Sequence, residues 1–218
     1  MDQPGRLVFE ETLWKQNFQR VMGLDEVGRG CLSGPVVAAG VILSPGSSYD
    51  DYRDSKTLSK SRRESLAVQI RNEARYWTIR YCSPKEIDQM NILKASITAM
   101  VKCTEAGGEP DYLLVDGNRY TSSLIPYQCV IKGDDRSASI GAASILAKVY
   151  RDQLMRDLHD EYPYYGWLTN VGYPTLEHYQ GLKSYGFTKY HRKSFNLKTE
   201  YSFEEMQQKK KESAIDAE

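Results

Sequence analysis

Short apolar runs that end at acidic residues constrain the fold of this chain more than any other feature. Val21–Leu24 runs directly into Asp25 and Glu26. The run at 112–115 (YLLV) ends at Asp116. Runs of this length between polar turn residues predict β-strands with buried faces. Because strand ends in such sheets commonly converge on one crevice, we expect these acids to lie close together.

Strand-like and helix-like patterns alternate along the chain. Two strands come in a row, an edge-like strand follows, and helices then alternate with strands. This order predicts an α/β fold with a mixed β-sheet flanked by helices. Ser59 and Asn91 are placed to cap two of the helices. Besides the two runs above, the predicted elements are strands at 35–43, 75–82 and 127–131 and helices at about 60–73, 92–105, 139–159 and 175–184.

The composition argues against several classes of protein. Lys plus Arg and Asp plus Glu both number 29, so any binding of nucleic acid must come from local clusters of charge. No apolar run approaches the roughly 20 residues that span a bilayer, and the N-terminus lacks the plan of a signal peptide. We therefore expect a cytoplasmic protein. A zinc site or disulfide framework is disfavoured because no Cys-x-x-Cys pair occurs. The cysteines are Cys31, Cys82, Cys103 and Cys129.

Four acids form a candidate metal site. Ionised carboxylates gathered at the edge of a core repel one another and lose solvation, so they must take up protons or bind cations. Oxygen ligands favour the hard ions Mg²⁺ or Mn²⁺, and two such ions can drive phosphodiester hydrolysis. Any one of these acids is explained as well by a turn or a helix cap, and Asp135 is expected to be of that kind. The four are Asp25, Glu26, Asp116 and Asp134.

A glycine–arginine turn, Gly28-Arg29-Gly30, follows the first two acids. Glycines let a backbone approach a ligand closely and adopt positive φ, and Arg29 is suited to contact a phosphate. Taken alone, the turn is explained at least as well as a tight connection between strands. A nucleotide-binding loop is disfavoured, because the spacing up to Gly34 fits neither glycine-rich phosphate motif and no helix start follows.

A basic and aromatic stretch runs from 178 to 198 without an acid. Basic side chains neutralise phosphates and aromatic rings pack on sugars or bases, so the stretch is a candidate surface for a duplex. Solvated charges and core aromatics are the alternative interpretation. Its basic residues are Lys183, Lys189, Arg192, Lys193 and Lys198, and its aromatic residues are Tyr179, Tyr185, Phe187, Tyr190 and Phe195.

Other polar residues are given ordinary roles. Ser144 and Lys148, one helical turn apart, resemble a Ser–Lys hydrolase pair, but packing and a surface charge explain them better on a largely apolar helix. Residues 201–218 predict a frayed helix or a disordered tail. The histidines are expected to be structural rather than catalytic; they are His159, His178 and His191.

Taken in order, the motifs resemble those of bacterial ribonuclease HII. The resemblance covers roughly residues 18–197 and rests on long, ordered motifs. Three departures are Cys31 where proline is common, Ser33 where alanine is common, and Val171 where a lysine often precedes Gly-Tyr. The motifs are 23–39 (GLDEVGRGCLSGPVVAA), 54–56 (DSK), 115–118 (VDGN), 132–134 (KGD), 142–152 (AASILAKVYRD), 172–175 (GYPT) and 191–195 (HRKSF).

The resemblance implies an RNase H-like catalytic domain over residues 1–200, with a helical C-terminal extension from about 150 to 198. It implies hydrolysis of the RNA strand of RNA–DNA hybrids and incision 5′ to single ribonucleotides in duplex DNA. Two divalent ions, Mg²⁺ or Mn²⁺, would serve the reaction, leaving 5′-phosphate and 3′-hydroxyl ends. A monomer is expected, and a replication or repair partner is left open. A non-catalytic duplex-binding module of the same fold is the alternative.

Carried over position by position, the resemblance assigns a role to each motif. Asp25, Glu26, Asp116 and Asp134 match the metal-binding catalytic acids. Gly28, Arg29 and Gly30 match a loop that reads the ribose 2′-hydroxyl, and Tyr173 matches a tyrosine that packs against a sugar at the junction. Lys56 is a further candidate for contacting phosphate.

Overall fold

The computed structural model describes residues 7–46, 49, 51–52, 55, 58–121 and 123–197. Lys56, Lys198 and the predicted tail at 201–218 lie outside the described residues. The chain divides into two compact units. The first unit is Met1–Val27, Val37–Tyr81 and Ser96–Tyr150, and the second unit is Gly28–Val36, Cys82–Ala95 and Arg151–Glu218. The predicted domain over 1–200 and its extension from about 150 remain predictions.

Five strands form one mixed sheet in the described part of the chain. They are β1 Val21–Val27, β2 Val36–Ile42, β3 Tyr76–Cys82, β4 Tyr112–Asp116 and β5 Tyr127–Val130. Their order across the sheet is β3-β2-β1-β4-β5. β1 pairs antiparallel with β2 and parallel with β4, which pairs parallel with β5. The predicted mixed sheet is therefore confirmed, and each predicted strand is present.

Side-chain caps fix several helix starts. The backbone N–H of Lys94 donates to Asn91 Oδ1 at 3.1 Å, and Ser59 accepts from the N–H of Arg62 at 3.3 Å, so both predicted caps are confirmed. The helices are α1 Val8–Lys15, α2 Lys60–Glu73, α3 Pro84–Met90, α4 Ile92–Glu105, α5 Gly133–Arg136, α6 Ala138–Glu161, α7 Trp167–Asn170 and α8 Leu176–Tyr185. None of these described helices combines the length and apolar composition that a membrane crossing needs.

The core of the first unit lies between the sheet and helices α2 and α6. Every residue of β2 is buried, which explains its uninterrupted apolar sequence. Val41 of β2, Ile70 of α2 and Leu146 of α6 belong to one fully buried cluster. A Cβ atom at Gly23 would overlap the backbone of Ser139, so glycine in β1 allows the start of α6 to approach the strand.

The second unit has its own aromatic core. Trp167 and Leu182 are completely buried, and Tyr165 is almost so. The Tyr165 hydroxyl donates to the carbonyl of Gly186 at 2.9 Å, so this ring enters the core without leaving its polar atom unpaired. Met155 of α6 packs in the same cluster. Leu32, which lies in the loop that contains the glycine–arginine turn, belongs to this core and so anchors the loop.

Candidate active site

Parallel strand pairing places two of the predicted acids side by side in the first unit. The register of β1 and β4 aligns Leu24 with Val115, so the next residues in each strand are Asp25 and Asp116. Glu26 follows Asp25 in β1, and its charge acts on the Asp25 carboxylate. Asp116 ends β4 as predicted. Asp25 and Glu26 were predicted to follow their strand but lie inside β1, which runs to Val27.

Asp134 lies in the short helix α5, directly after β5. The backbone N–H of Gly133 donates to Asp116 Oδ1 at 2.7 Å, which ties the turn that carries Asp134 to the acid at the end of β4. The Asp134 Oδ1 atom accepts the N–H of Asp135 at 3.1 Å. Lys132 caps this turn in the left-handed region, with φ 54°. The turn between β5 and α6 therefore holds Asp134 near the strand ends.

Asp25 is the buried member of the acidic group, with 7% of its surface exposed. Burial raises its pKa well above the usual range, and the negative charges of Glu26, Asp116 and Asp134 raise it further. A hydrogen bond from Ser144 acts in the opposite direction. Because all three other acids act on Asp25, the first unit brings the four predicted acids within electrostatic reach of one another.

These carboxylates fit a divalent cation that is completed by other ligands. A bound cation stabilises the ionised form of a buried carboxylate that lies among three other acids. A set of oxygen ligands favours a hard ion. Among the described residues, no three His, Cys, Asp or Glu side chains form a ready-made metal site. Mg²⁺ is usually held by one or two carboxylates with water and substrate phosphates. The site therefore fits an ion shared with substrate better than a closed protein cage.

Ser144 is a site residue that sequence reasoning missed. It is 4% exposed and its hydroxyl bonds to the Asp25 carboxylate. Its Oγ also lies 3.0 Å from Ser55 Oγ. The hydroxyl therefore orients a candidate metal ligand, which is a larger role than the packing that was expected. Helical periodicity carries no signal that separates these two roles.

The glycine–arginine turn lies in the second unit. Gly28 is buried with φ +94°, and a Cβ atom there would overlap the Arg151 guanidinium, so this position requires glycine. Arg29 and Gly30 are exposed. A Cβ atom at Gly30 would lie 4.0 Å from Tyr173 Cε1. The structure thus brings together the predicted turn and the predicted tyrosine.

Both the side chain and the backbone of Tyr173 form hydrogen bonds. The residue is 38% exposed, while its side chain hydrogen-bonds to Cys31. Burial raises the pKa of Tyr173, and the neighbouring Cys31 adds to the effect. Cys31 stands where proline is common in the resembling family, so this departure gives the tyrosine a polar partner. The ring is left available to a ligand in a fixed orientation.

Two buried histidines hold the backbone of Tyr173. The N–H of Thr188 donates to His191 Nδ1 at 3.0 Å, so the His191 proton is on Nε2. That group donates to His178 Nε2 at 3.1 Å, and His178 Nδ1–H donates to the Tyr173 carbonyl at 2.9 Å. Burial lowers the pKa of His178 to about 4. Burial, and then the charge of His178, lower that of His191 to about 2.

The predicted basic stretch has two kinds of basic residue. Lys183, Lys189 and Lys193 are exposed, as a surface for phosphates requires. Arg192 is only 1% exposed, so its assignment to that surface was wrong. Its guanidinium donates to backbone carbonyls instead. Phe187 is a core residue, which agrees with the alternative interpretation for part of the aromatic set.

Known proteins match this chain over the region that contains the motifs. Residues 22–198 match the family model described as Ribonuclease HII. Ribonuclease HII of Salinibacter ruber is 49% identical over 196 residues, covering 88% of this chain and 98% of the relative. Ribonuclease HII of Christiangramia forsetii is 50% identical over 179 residues, 81% of this chain and 90% of the relative.

A solved structure shows the same fold. A chain in the structure of the PCNA:RNase HII complex from Archaeoglobus fulgidus is 25% identical, with a TM-score of 0.68 over 84% of this chain and 98% of that chain. The predicted RNase H-like fold is therefore confirmed. Because the matched region contains every motif quoted above and spans nearly the whole length of its relatives, this chain belongs to the ribonuclease HII family.

Proposed function

We propose that this member of the ribonuclease HII family is an endonuclease that uses two divalent ions. Its substrates are the RNA strand of RNA–DNA hybrids and single ribonucleotides in duplex DNA, which it incises on the 5′ side. The products carry 5′-phosphate and 3′-hydroxyl ends. The observation that supports this proposal most is the buried Asp25 carboxylate among three further acids.

The four acids are proposed as the ligands of the ions. Mg²⁺ or Mn²⁺ bound there would supply an activated water and neutralise charge that develops on the phosphate. Asp25 and Asp116 are held on neighbouring strands, and the Gly133 N–H donates to one oxygen of Asp116. Ser144 orients Asp25. These contacts leave the chain little reorganisation to make when an ion and substrate bind.

The second unit is proposed to recognise the ribonucleotide. The 2′-hydroxyl both donates and accepts hydrogen bonds, and the exposed backbone of Arg29 and Gly30 offers groups of that kind. Tyr173 lies beside Gly30 and is proposed to pack against a sugar. Arg29 and Lys56 are proposed to contact phosphates. Lys56 lies outside the described residues, so its assignment rests on the sequence.

A protein partner and a cellular location are also proposed. The relative from Archaeoglobus fulgidus was solved as a complex with PCNA, which supports a replication partner for this chain as well. A monomer in the cytoplasm is proposed from the sequence. None of these points is needed for the chemistry.

The test uses two labelled substrates, a DNA duplex with one ribonucleotide and an RNA–DNA hybrid, each with Mg²⁺ or Mn²⁺. We expect one cut 5′ to the lone ribonucleotide and several in the RNA strand, with no cut in an all-DNA duplex or in EDTA. Asp116→Asn is expected to abolish cleavage while duplex binding is largely retained. Binding without cleavage by the wild type would favour the non-catalytic module, and near-normal turnover by Asp116→Asn would contradict the assigned role.

A further inference from the structure

A buried guanidinium holds the backbone of the glycine–arginine turn. Arg192 is 1% exposed, and its N–H groups donate hydrogen bonds to carbonyl oxygens within the second unit. Its Nη2 donates to Gly28 at 2.6 Å and its Nη1 to Arg29 at 3.0 Å. Its Nε donates to Gly34 at 3.0 Å. One side chain therefore fixes two consecutive peptide groups of the turn and a third group farther along the loop.

A second buried arginine holds the rest of the same loop. Arg151 is 0% exposed, and its Nη2 and Nε donate to the carbonyls of Ser33 and Pro35, each at 3.0 Å. Its Nη1 donates to Val171 at 2.8 Å. Most carbonyl groups in the loop 28–35 are thus bound by one guanidinium or the other.

Placing two guanidinium groups here is electrostatically unfavourable. Burial lowers the pKa of Arg192 to about 10; the charge of Arg151 acts in the same direction, and Cys31, Asp88 and Tyr173 act against it. Neither arginine forms an ion pair with a described residue. Buried charges that form no close ion pair destabilise a fold unless hydrogen bonds compensate. An arginine in such a place indicates a geometric role, because its planar fork can bind several acceptors at once.

Because the peptide group is planar, the direction of each bound carbonyl fixes the direction of the next residue's N–H group. In a trans peptide the C=O of one residue and the N–H of the next point in opposite directions. Binding of the Gly28 and Arg29 carbonyls to the buried Arg192 therefore aims the N–H groups of Arg29 and Gly30 away from it. Arg29 and Gly30 are exposed, so these two donors are aimed towards the accessible side of the turn.

We infer that Arg192 is a positioning residue for ribose recognition, which sets the direction of the Arg29 and Gly30 N–H donors by holding the two preceding carbonyls. The inference rests on the proposed role of the turn in reading the 2′-hydroxyl. Phe195 supports the arrangement, because its ring centroid lies 5.1 Å from the Arg192 guanidinium carbon. A lysine at position 192 would keep the charge but would lose the fork and most of the ring contact.

The experiment compares two duplexes of identical sequence, one with a single ribonucleotide and one of DNA alone. Fluorescence anisotropy in EDTA gives the two dissociation constants without cleavage, and their ratio measures ribose discrimination. We expect Arg192→Lys to lower this ratio by about tenfold relative to the wild type, the loss expected for one or two hydrogen bonds. The kcat/KM at the lone ribonucleotide should fall by a similar factor.

Tyr165→Phe is the matched control for a general loss of stability. It removes one buried hydrogen bond of the second unit, from the hydroxyl to the Gly186 carbonyl, and leaves the loop's arginine contacts in place. Its melting temperature should fall while its discrimination ratio stays at the wild-type value. A ratio that falls equally in Tyr165→Phe and Arg192→Lys would overturn the inference, because general loosening would then explain it.

The outcomes separate this inference from the proposed function. Equal wild-type affinities for the two duplexes would overturn the positioning role, whereas absence of cleavage at the lone ribonucleotide with Mg²⁺ or Mn²⁺ would overturn the proposed function. A wild-type preference that a folded Arg192→Lys retains would overturn the positioning role alone. If Arg192→Lys does not fold, Phe195→Leu decides: a ratio lowered about threefold supports the role of the guanidinium, and an unchanged ratio refutes it.

Discussion

Acid is expected to destabilise the protein through its two buried histidines, and His178→Gln tests this directly. His178 is completely buried and its pKa is lowered from 6.5 to about 4, because burial disfavours its charged form. The folded state thus binds the proton more weakly than the unfolded chain does. The stabilisation is fully present above about pH 6.5 and is lost as the pH falls towards about 4.

The magnitude follows from the lowered pKa. At ~1.4 kcal/mol per pH unit, the interval from 6.5 to about 4 corresponds to ~3 kcal/mol for His178. His191, whose pKa is lowered further, adds to the loss over the same range. For a protein whose free energy of unfolding is typically ~5–15 kcal/mol, this is a large fraction. His178→Gln keeps neutral hydrogen-bonding groups at the site but cannot take up the proton.

Urea unfolding at several pH values between 7 and 4 measures the effect. The wild type should lose ~3 kcal/mol more than His178→Gln over this interval, although the variant starts from a lower stability at pH 7. NMR gives an independent readout, because the chain has only three histidines. A folded-state midpoint for His178 near pH 6.5, or parallel stability curves for the two proteins, would refute the reasoning.

Two further predictions concern the start of α6 and the glycine–arginine turn. The buried Glu10 carboxylate accepts hydrogen bonds from two serine hydroxyls and one N–H at the start of α6. Glu10→Ala should therefore lower the free energy of unfolding by about 1–3 kcal/mol. An unchanged urea midpoint would contradict this. Gly30→Ala should keep the wild-type melting temperature, because its Cβ meets only Tyr173 at 4.0 Å, yet impair cleavage at a lone ribonucleotide. Gly28→Ala should lower the melting temperature as well, since its Cβ would overlap Arg151, and equal melting temperatures for the two variants would count against the account.

The sequence predicted those parts of the fold that local patterns determine. The strand at 112–115 was found at Tyr112–Asp116, because a short apolar run between polar residues has few other structures available. The half-exposed strand at 75–82 was found at Tyr76–Cys82, where Thr78 and Cys82 are buried and the other residues are partly or fully exposed. Asp116 at the end of β4 was predicted for the same reason.

The sequence also carries local signals for helices that were not among those predicted. Helix α3 was not predicted, although Ser83 and Glu86 form a reciprocal capping box and Pro84 occupies the first turn. Helix α1 was also missed. It lies before the region that matches the family model, yet its Glu10 caps α6 from a distance of 127 residues in sequence.

Contacts set by tertiary packing could not be predicted. Arg192 stands among exposed lysines in the sequence, and nothing in that stretch indicates which cation turns inward to bind carbonyls. The chain of hydrogen bonds from His191 through His178 to Tyr173 depends on how helix α8 packs against the segments that carry His191 and Tyr173. Ser144 reaches Asp25 only because α6 packs against the sheet.

Asp134 and its neighbour Asp135 give the most direct test of the acidic site. The initial rate of hybrid cleavage is measured for Asp134→Asn and for Asp135→Asn as the Mn²⁺ concentration is raised. Asp134 acts electrostatically on the buried Asp25, whereas Asp135 is an exposed residue of the same short helix. We predict that Asp134→Asn lowers the initial rate by more than about 100-fold, which exceeds the loss usual for a residue that only supports a metal ligand. The rate of Asp135→Asn should stay within about threefold of the wild type. Equal rates for the two variants at every Mn²⁺ concentration would contradict the account.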